Sequence, residues 1–336
     1  MTRYGSGMAD LVATWSSDAF RAELTGWVDV HLQTVRVRRL GVLRPVRVRF
    51  WSAVFQAPVD AGGRVWVKVG NPGQAFEGEL LGALSTVASR SVVEPLAVNA
   101  ERGWWLLPDG GPTLGEEGGP NMPATWTRLL EQVAHLQRDL APHRETLSMV
   151  PGLPLGSVAD EVALRLDQLA ALGESDPQHL DADAAALARA GLPRLDAAMT
   201  VLEGLGIPDT LQPNDASLGN AVSATSPGDP YRLFDLGDAF WSHPFGVLHL
   251  PLRLTVGASL AGPRPTASET GRLAEAYLRC WPEVPQRCWP EVLDAADRLG
   301  AVQRALSWER LLAHVDAGAV PSPPRLATWL CQAVAP

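Results

Sequence analysis

Residues 64–81 read RVWVKVGNPGQAFEGELL, and the change of period inside this stretch decides how the chain folds. Val65, Val67 and Val69 alternate with Trp66, Lys68 and Gly70, the period-two pattern of a strand. Asn71, Pro72 and Gly73 break that pattern, after which Phe76, Leu80, Leu81, Leu84 and Val87 fall on one side of a helix. Lys68 therefore stands inside an apolar strand, nine residues before Glu77 on the flank of the helical stripe. An inward ammonium is expensive to bury alone, so a Lys68–Glu77 pair tying strand to helix is expected. Glu79 is the rival carboxylate, less well directed because of the Leu80–Leu84 face. A lysine that snorkels to the surface is the plainer alternative.

Lys68 is also the only lysine among 28 basic residues, the other 27 being arginine. Chemistry that needs a primary amine can thus be tested at one position. The P-loop pattern fails there because valine stands on both sides of the lysine. The serine–lysine hydrolase pattern fails because residue 65 is valine. A Schiff-base lysine remains formally open, without a cofactor motif to support it.

Around this core stretch the first third of the chain reads as β-rich. Ser17 and Asp18 can cap an opening helix over 17–33, and VRVRRL (35–40), VRVRFWSAVFQ (46–56) and RVWVKVG read as an antiparallel meander. Segments 92–98 and 103–107 return to strand propensity before Pro108-Asp109-Gly110-Gly111. Residues 108–123 form a natural connection, dividing the chain into an N-terminal lobe, 1–111, and a C-terminal lobe, 112–336. The second lobe is mainly helical, with helices expected near 124–141, 158–172, 180–204, 244–260, 267–280, 290–299, 301–317 and 322–334. Only 207–243 departs, setting acidic and amide groups between short strand-like pieces, where they can face a cleft.

The whole chain carries a net charge of −9, split as +2 over residues 1–111 and −11 over the remainder. That balance excludes a general nucleic-acid binder, whose surface would be basic. Six arginines lie between Arg36 and Arg49; Arg36, Arg38, Arg47 and Arg49 are spaced at period two around valines, as on the wet face of strands or beside a phosphate-bearing ligand. Three cysteines form neither a ligand pair nor a disulfide framework, and the amino terminus shows no secretory h-region. No stretch is apolar enough to span a membrane. A reduced, cytoplasmic setting is the expectation.

Asp215, Asn220 and Asp235 form the leading constellation. A hard cation such as magnesium takes oxygen ligands, which a carboxylate and an amide supply while leaving positions for water and phosphate. Asx residues equally cap helices and shape turns. His243, just before Pro244, is read as fixing its loop, and Asp238 as capping the segment that follows or assisting metal geometry.

Taken in order, these segments resemble the aminoglycoside-phosphotransferase-like branch of the protein-kinase-like fold, especially actinobacterial small-molecule phosphotransferases. The similarity runs from about Phe20 to Leu312 and rests on VWVKVGNPGQAFEGELL, PNDASLGN (213–220) and FDLGDAFWSHPF (234–245). Trp51-Ser52 resembles the nucleotide-covering region, and WWLLPDGG (104–111) the lobe connection. The resemblance implies a two-lobed α+β fold with a β-rich nucleotide-binding lobe and a helical catalytic lobe. It implies Lys68 on the nucleotide phosphates with Glu77 orienting it, Trp51 and Ser52 near the nucleotide, magnesium on Asn220 and Asp235, and Asp215 on the acceptor hydroxyl. The implied donor is ATP or another nucleoside triphosphate and the acceptor a small hydroxylated metabolite, sugar or antibiotic-like molecule. The chain departs from the family at Pro213-Asn214-Asp215, where HGD or HND is usual, at Ala216-Ser217, and at Asp235-Leu236-Gly237 in place of Asp-Trp-Gly. No glycine-rich loop is evident between Val35 and Gln56. A kinase-like binding protein without turnover is the alternative that these departures leave open.

Overall fold

The structure is a computed structural model that describes residues 10–118, 122–260, 262–316, 319–320 and 322–336. Residues 119–121 of the 108–123 connection and Ala317 of the helix expected over 301–317 lie outside them. The described residues gather in two units. The first takes the chain up to Gly111 together with Ser223–Gly237 and Glu309–Pro323; the second takes Pro112–Val222, Asp238–Trp308 and Pro324–Pro336. The sequence division at Gly111 puts Asp235 with the later residues. It packs instead with the first unit, through Lys68 and through a Val93 amide donating to the Leu233 carbonyl at 3.0 Å.

In the first unit α1 (Leu11–Ser16) and α2 (Asp18–Thr34) are capped by Asp10 and Ser17. Strands β1 (Arg44–Arg49), β2 (Ser52–Pro58) and β3 (Arg64–Gly70) precede α3 (Glu77–Val87), and β4 (Ala97–Asn99) and β5 (Trp104–Pro108) complete an antiparallel sheet in the order β1-β2-β3-β5-β4. One face of this sheet is dry. Ala53, Phe55, Val65, Val67, Val69 and Leu106 pack there against Phe20, Leu24 and Val28 of α2. Alternation then directs Ser52, Val54, Lys68 and Trp105 to the opposite face.

Two strand expectations change. VRVRRL is not a strand: Arg36 has φ 58°, and Arg38 is held by Asp60 through its backbone amide and Nε at 2.8 and 2.9 Å. VRVRFWSAVFQ is two strands, because Arg49 pairs with Ser52 and the chain reverses at Phe50-Trp51. Both stretches match a strand in local pattern, and the partners that break them are far away or only across a turn.

The second unit opens with α4 (Leu114–Gly118) and α5 (Pro123–Leu140). Strand β6 (Gly152–Leu153), α6 (Val158–Ala170), α7 (Ala182–Ala190) and α8 (Leu192–Glu203) follow. The helix expected over 180–204 is divided because Pro193 suits the first turn of a new helix and cannot continue an old one. Strand β7 (Thr210–Gln212) leads to β8 (Ala221–Val222), and after β9 (Arg232–Leu233) of the first unit comes β10 (Phe240–Ser242). Strand β10 pairs parallel with β6 and antiparallel with β7, Phe240 opposite Gln212. The end of β7 and the start of β10 therefore lie side by side, and the loops that carry Asp215 and Asp238 emerge from that edge.

The stretch expected as one helix over 244–260 is a 3-10 turn, Pro244–Leu248, followed by α9 (His249–Leu254). Beyond α10 (Ala267–Arg279), the separate helices expected at 290–299 and 301–317 are one, α11 (Trp289–Leu312), ahead of α12 (Leu326–Val334). Gly300 does not break α11; a Cβ there would lie 2.3 Å from the His249 Cβ and 2.7 Å from the Gly246 carbonyl oxygen, so glycine permits close packing. Replacing Gly300 by alanine is predicted to cost about 1–3 kcal/mol by overpacking, despite alanine's better helix propensity. Urea unfolding would measure it, and an unchanged or raised midpoint would contradict it.

Candidate functional site

On the non-core face of the first unit's sheet, Lys68 pairs across strands with Val54 and Trp105 and is 8% exposed. Its Nζ lies 2.7 Å from Glu77 Oε2 and 2.5 Å from Asp235 Oδ1, and 5.3 Å from the centre of the Trp105 ring. The snorkelling alternative does not hold. Glu77 is fully buried at the start of α3, where a carboxylate also meets the positive end of the helix dipole. Glu79 remains off the pair.

Asp235 reaches Lys68 from a strained backbone, with φ 59°, a conformation that side-chain-bearing residues seldom adopt. Two residues on, a Cβ at Gly237 would fall 2.8 Å from Glu77 Oε2 and 3.0 Å from the Gln74 side chain. The glycine of Asp235-Leu236-Gly237 is thus required by the close approach to Glu77.

One ammonium serves two carboxylates. Burial alone would lower the Lys68 pKa, yet Asp235 and Glu77 outweigh it and hold the ammonium well above its ordinary value. Burial pushes the Glu77 carboxyl up to about 7, with Lys68 opposing and Asp235 adding to the rise. Asp235 resists its own burial and is held below the ordinary carboxylate range by Lys68 and, more weakly, by Arg47. Its carboxylate is 31% exposed, an anionic oxygen donor open to a ligand.

The second unit assembles Asp215 and Asn220. The Asp215 amide donates to the Pro213 carbonyl at 2.7 Å, closing a tight turn about Asn214, whose φ is 61°. The buried Gln212 side chain accepts from the Asn214 amide and itself donates to Gln303, while Asn214 Nδ2 donates to the Gln303 carbonyl at 3.3 Å. Asn220 Nδ2 donates to the Asp215 carbonyl at 3.0 Å, which commits the nitrogen end of the amide and leaves Oδ1 for an acceptor role. Asp215 presents a 28% exposed carboxylate, 3.9 Å from Arg304 Nη1. Arg304 also pairs with Asp238 at 3.2 Å, and the Ser307 hydroxyl donates to Asp238. Asp238 is therefore engaged by α11.

Gln303, Arg304 and Ser307 carry no signal in the sequence, where they are polar positions of a helix, each far along the chain from its partners. Trp51 lies in the β1–β2 turn, its ring edge-on to Phe50, and Ser52 is buried at the head of β2. Trp105 is wholly buried. His243 is buried too, its Nδ1 accepting from the Phe245 amide, and burial drives its pKa down to about 3, so it stays neutral and fixes the turn.

Among the described residues no cluster of three or more His, Cys, Asp or Glu stands ready for a metal. Taken singly, the part-exposed Asp235 carboxylate of the first unit and the Asn220 amide oxygen of the second are each oxygen donors of the kind that a hard cation accepts.

No protein-family model matches the chain, and no curated protein matches its sequence. Solved structures do. An ethanolamine kinase from Plasmodium vivax superposes with a TM-score of 0.64 over 95% of this chain and 89% of its own, at 11% identity. The fold is protein-kinase-like. A type I macrolide 2'-phosphotransferase matches at TM-score 0.58 and 13% identity, covering 98% of each chain. APH(2")-IIia, solved with GDP and kanamycin, matches at 0.56 and 15%, covering 85% of this chain and 92% of that one. The two-lobed α+β architecture is thus the one these phosphotransferases share, and no described helix is long and apolar enough to cross a membrane.

Replacing Lys68 by methionine leaves the buried Glu77 carboxylate and the part-exposed Asp235 carboxylate without their cation, and is predicted to cost about 3–5 kcal/mol at pH 8. Because the folded Glu77 pKa lies above its unfolded value, protons bind more tightly to the folded state, and stability falls as pH rises from about 4.5 towards 7. The K68M deficit should therefore shrink at pH 5, where Glu77 takes a proton. Urea midpoints at both pH values measure this; a deficit that is equal at both, or absent, contradicts it.

Proposed function

We propose that the chain catalyses magnesium-dependent transfer of the γ-phosphoryl group of a nucleoside triphosphate, ATP in the first instance, to a hydroxyl of a small metabolite, sugar or antibiotic-like acceptor. The observation that carries this reading is the Lys68 ammonium, held between Glu77 and Asp235 on the face of the sheet opposite the α2 core. A lysine needed only for packing would not require two carboxylates and a strained backbone. The proteins whose fold it shares include kinases and phosphotransferases of small molecules.

In this reading Lys68 contacts the nucleotide phosphates as a compact charged donor, and Glu77 sets the direction of its ammonium. Trp51 and Ser52 lie beside the nucleotide. Asn220 and Asp235 are the holders of magnesium, which when bound offsets charge on the transferring group. Asp215 accepts a hydrogen bond from the acceptor hydroxyl and aims its oxygen in line with the phosphorus. With a loose transition state this positioning counts for more than early proton removal, so an ionised Asp215 suffices. Arg304 steadies that carboxylate from behind, its charge divided between Asp215 and Asp238.

The test is incubation with magnesium, labelled ATP or GTP and a broad pool of hydroxylated metabolites, followed by a mass search for one phosphorylated product. An acceptor-dependent product is expected, and Asp215→Asn should lower its rate by about 100-fold or more while nucleotide binding persists. Transfer that survives D215N unchanged contradicts the role of Asp215. Nucleotide binding without transfer to any acceptor favours a binding protein without turnover.

A further inference from the structure

The β1–β2 turn of this fold is made here by Phe50 and Trp51, and no glycine occurs from Val42 to Ala61. Backbone amides of a glycine-rich turn are therefore not the means by which this edge of the sheet can meet a polyphosphate. The register offers another means. Arg47 pairs with Val54, and Val54 with Lys68, so all three residues lie in one cross-strand row and direct their side chains to one face. With strands about 4.8 Å apart, the Arg47 and Lys68 backbones are about 10 Å from one another.

Alternation fixes the sense of this arrangement. Val48 turns to the core, packed against the cluster of α2, while Arg47 and Arg49 flank it on the other side. The irregularity between Pro45 and Arg47 then brings Arg44, opposite Gln56, back to that same face. Arg47 is exposed, and no described carboxylate is in ion-pair contact with it. Its charge is felt at the Asp235 carboxylate, the group that also holds Lys68. Three of the other five arginines of the run are engaged, Arg38 with Asp60, Arg39 with Asp29 and Arg49 with the Val48 carbonyl, while Arg36 precedes the sheet and Arg44, opposite Gln56, lies outside the cross-strand row of Lys68.

We propose that Arg47 is a phosphate-binding residue of this chain, its guanidinium taking on β1 the part that a glycine-rich turn would play through backbone amides. A planar guanidinium can grip two phosphate oxygens at once, which the Lys68 ammonium cannot. The inference rests on the nucleoside-triphosphate reading of the site.

Its test is equilibrium binding, by calorimetry, of magnesium ATP, magnesium GTP, tripolyphosphate and adenosine to the wild-type chain and to Arg47→Ala, Arg47→Gln, Arg47→Lys and Arg38→Ala. R47A and R47Q should each weaken the triphosphate that the wild type binds, and tripolyphosphate, by about tenfold or more, with a shallower salt dependence. Adenosine binding should not change, R47K should recover part of the loss, and R38A should bind like the wild type. Melting temperatures of the variants separate lost contacts from lost folding, and two different replacements guard against a single misfolded one. Triphosphate affinity unchanged in both R47A and R47Q, or lowered as much by R38A, overturns the inference while the proposed activity stands. A wild-type chain that binds no triphosphate overturns both.

Discussion

A buried ammonium shared by two carboxylates organises the first unit. Lys68 cannot sit in an apolar strand unless its charge is answered, and Glu77 and Asp235 answer it from well-separated places in the sequence. Meeting Glu77 draws α3 onto the sheet. Meeting Asp235 draws in Ser223–Gly237, more than 100 residues away, and requires a left-handed residue at 235 and a glycine at 237. One positive charge serves two negative ones, and the Glu77 carboxyl is raised chiefly by its burial, with the Asp235 charge adding to the rise. A cation beside Asp235 would offset that charge, which connects the energetics of the unit to the chemistry proposed for it.

The sheet separates two environments. Its dry face, closed by α2, takes Val65, Val67, Val69 and Phe55, while the other collects Arg47, Ser52, Lys68 and Trp105. A chain with arginine at 27 of its 28 basic positions keeps lysine where a compact charge must fit between two carboxylates and under a Trp105 ring. Arginine, with its wider fork, stands at the rim. In the second unit the same economy of contacts recurs, Arg304 dividing its charge between Asp215 and Asp238 and a Gln212–Gln303 pair holding the turn at Asn214.

Much of this arrangement is legible in the amino-acid sequence alone. The period change at Asn71 marks strand and helix, and the expense of burying an ammonium points to Glu77. The order of PNDASLGN and FDLGDAF carries the resemblance from which the fold follows. Asp235 as a second partner of Lys68 is not legible, because an ion pair over such a distance in sequence leaves no local pattern. The reversal at Phe50-Trp51 is hidden because its residues favour strands as strongly as those on either side. Gly300 misleads: a glycine in a helical pattern reads as a stop unless the neighbour that needs its missing side chain, here His249, is known. Gln303 and Arg304 are polar residues on a helix, and only packing shows that they are turned inward.

The central claim is that Lys68 is a charged, carboxylate-held group poised for phosphate, and the chain's single lysine allows it to be watched directly. Protein labelled with nitrogen-15 at the lysine side chain alone has one Nζ resonance. That resonance should report an ammonium that keeps its proton beyond the ordinary lysine pKa of 10.5, and it should shift on addition of magnesium ATP or magnesium GTP. A signal that titrates like a free lysine and ignores both nucleotides would contradict the account.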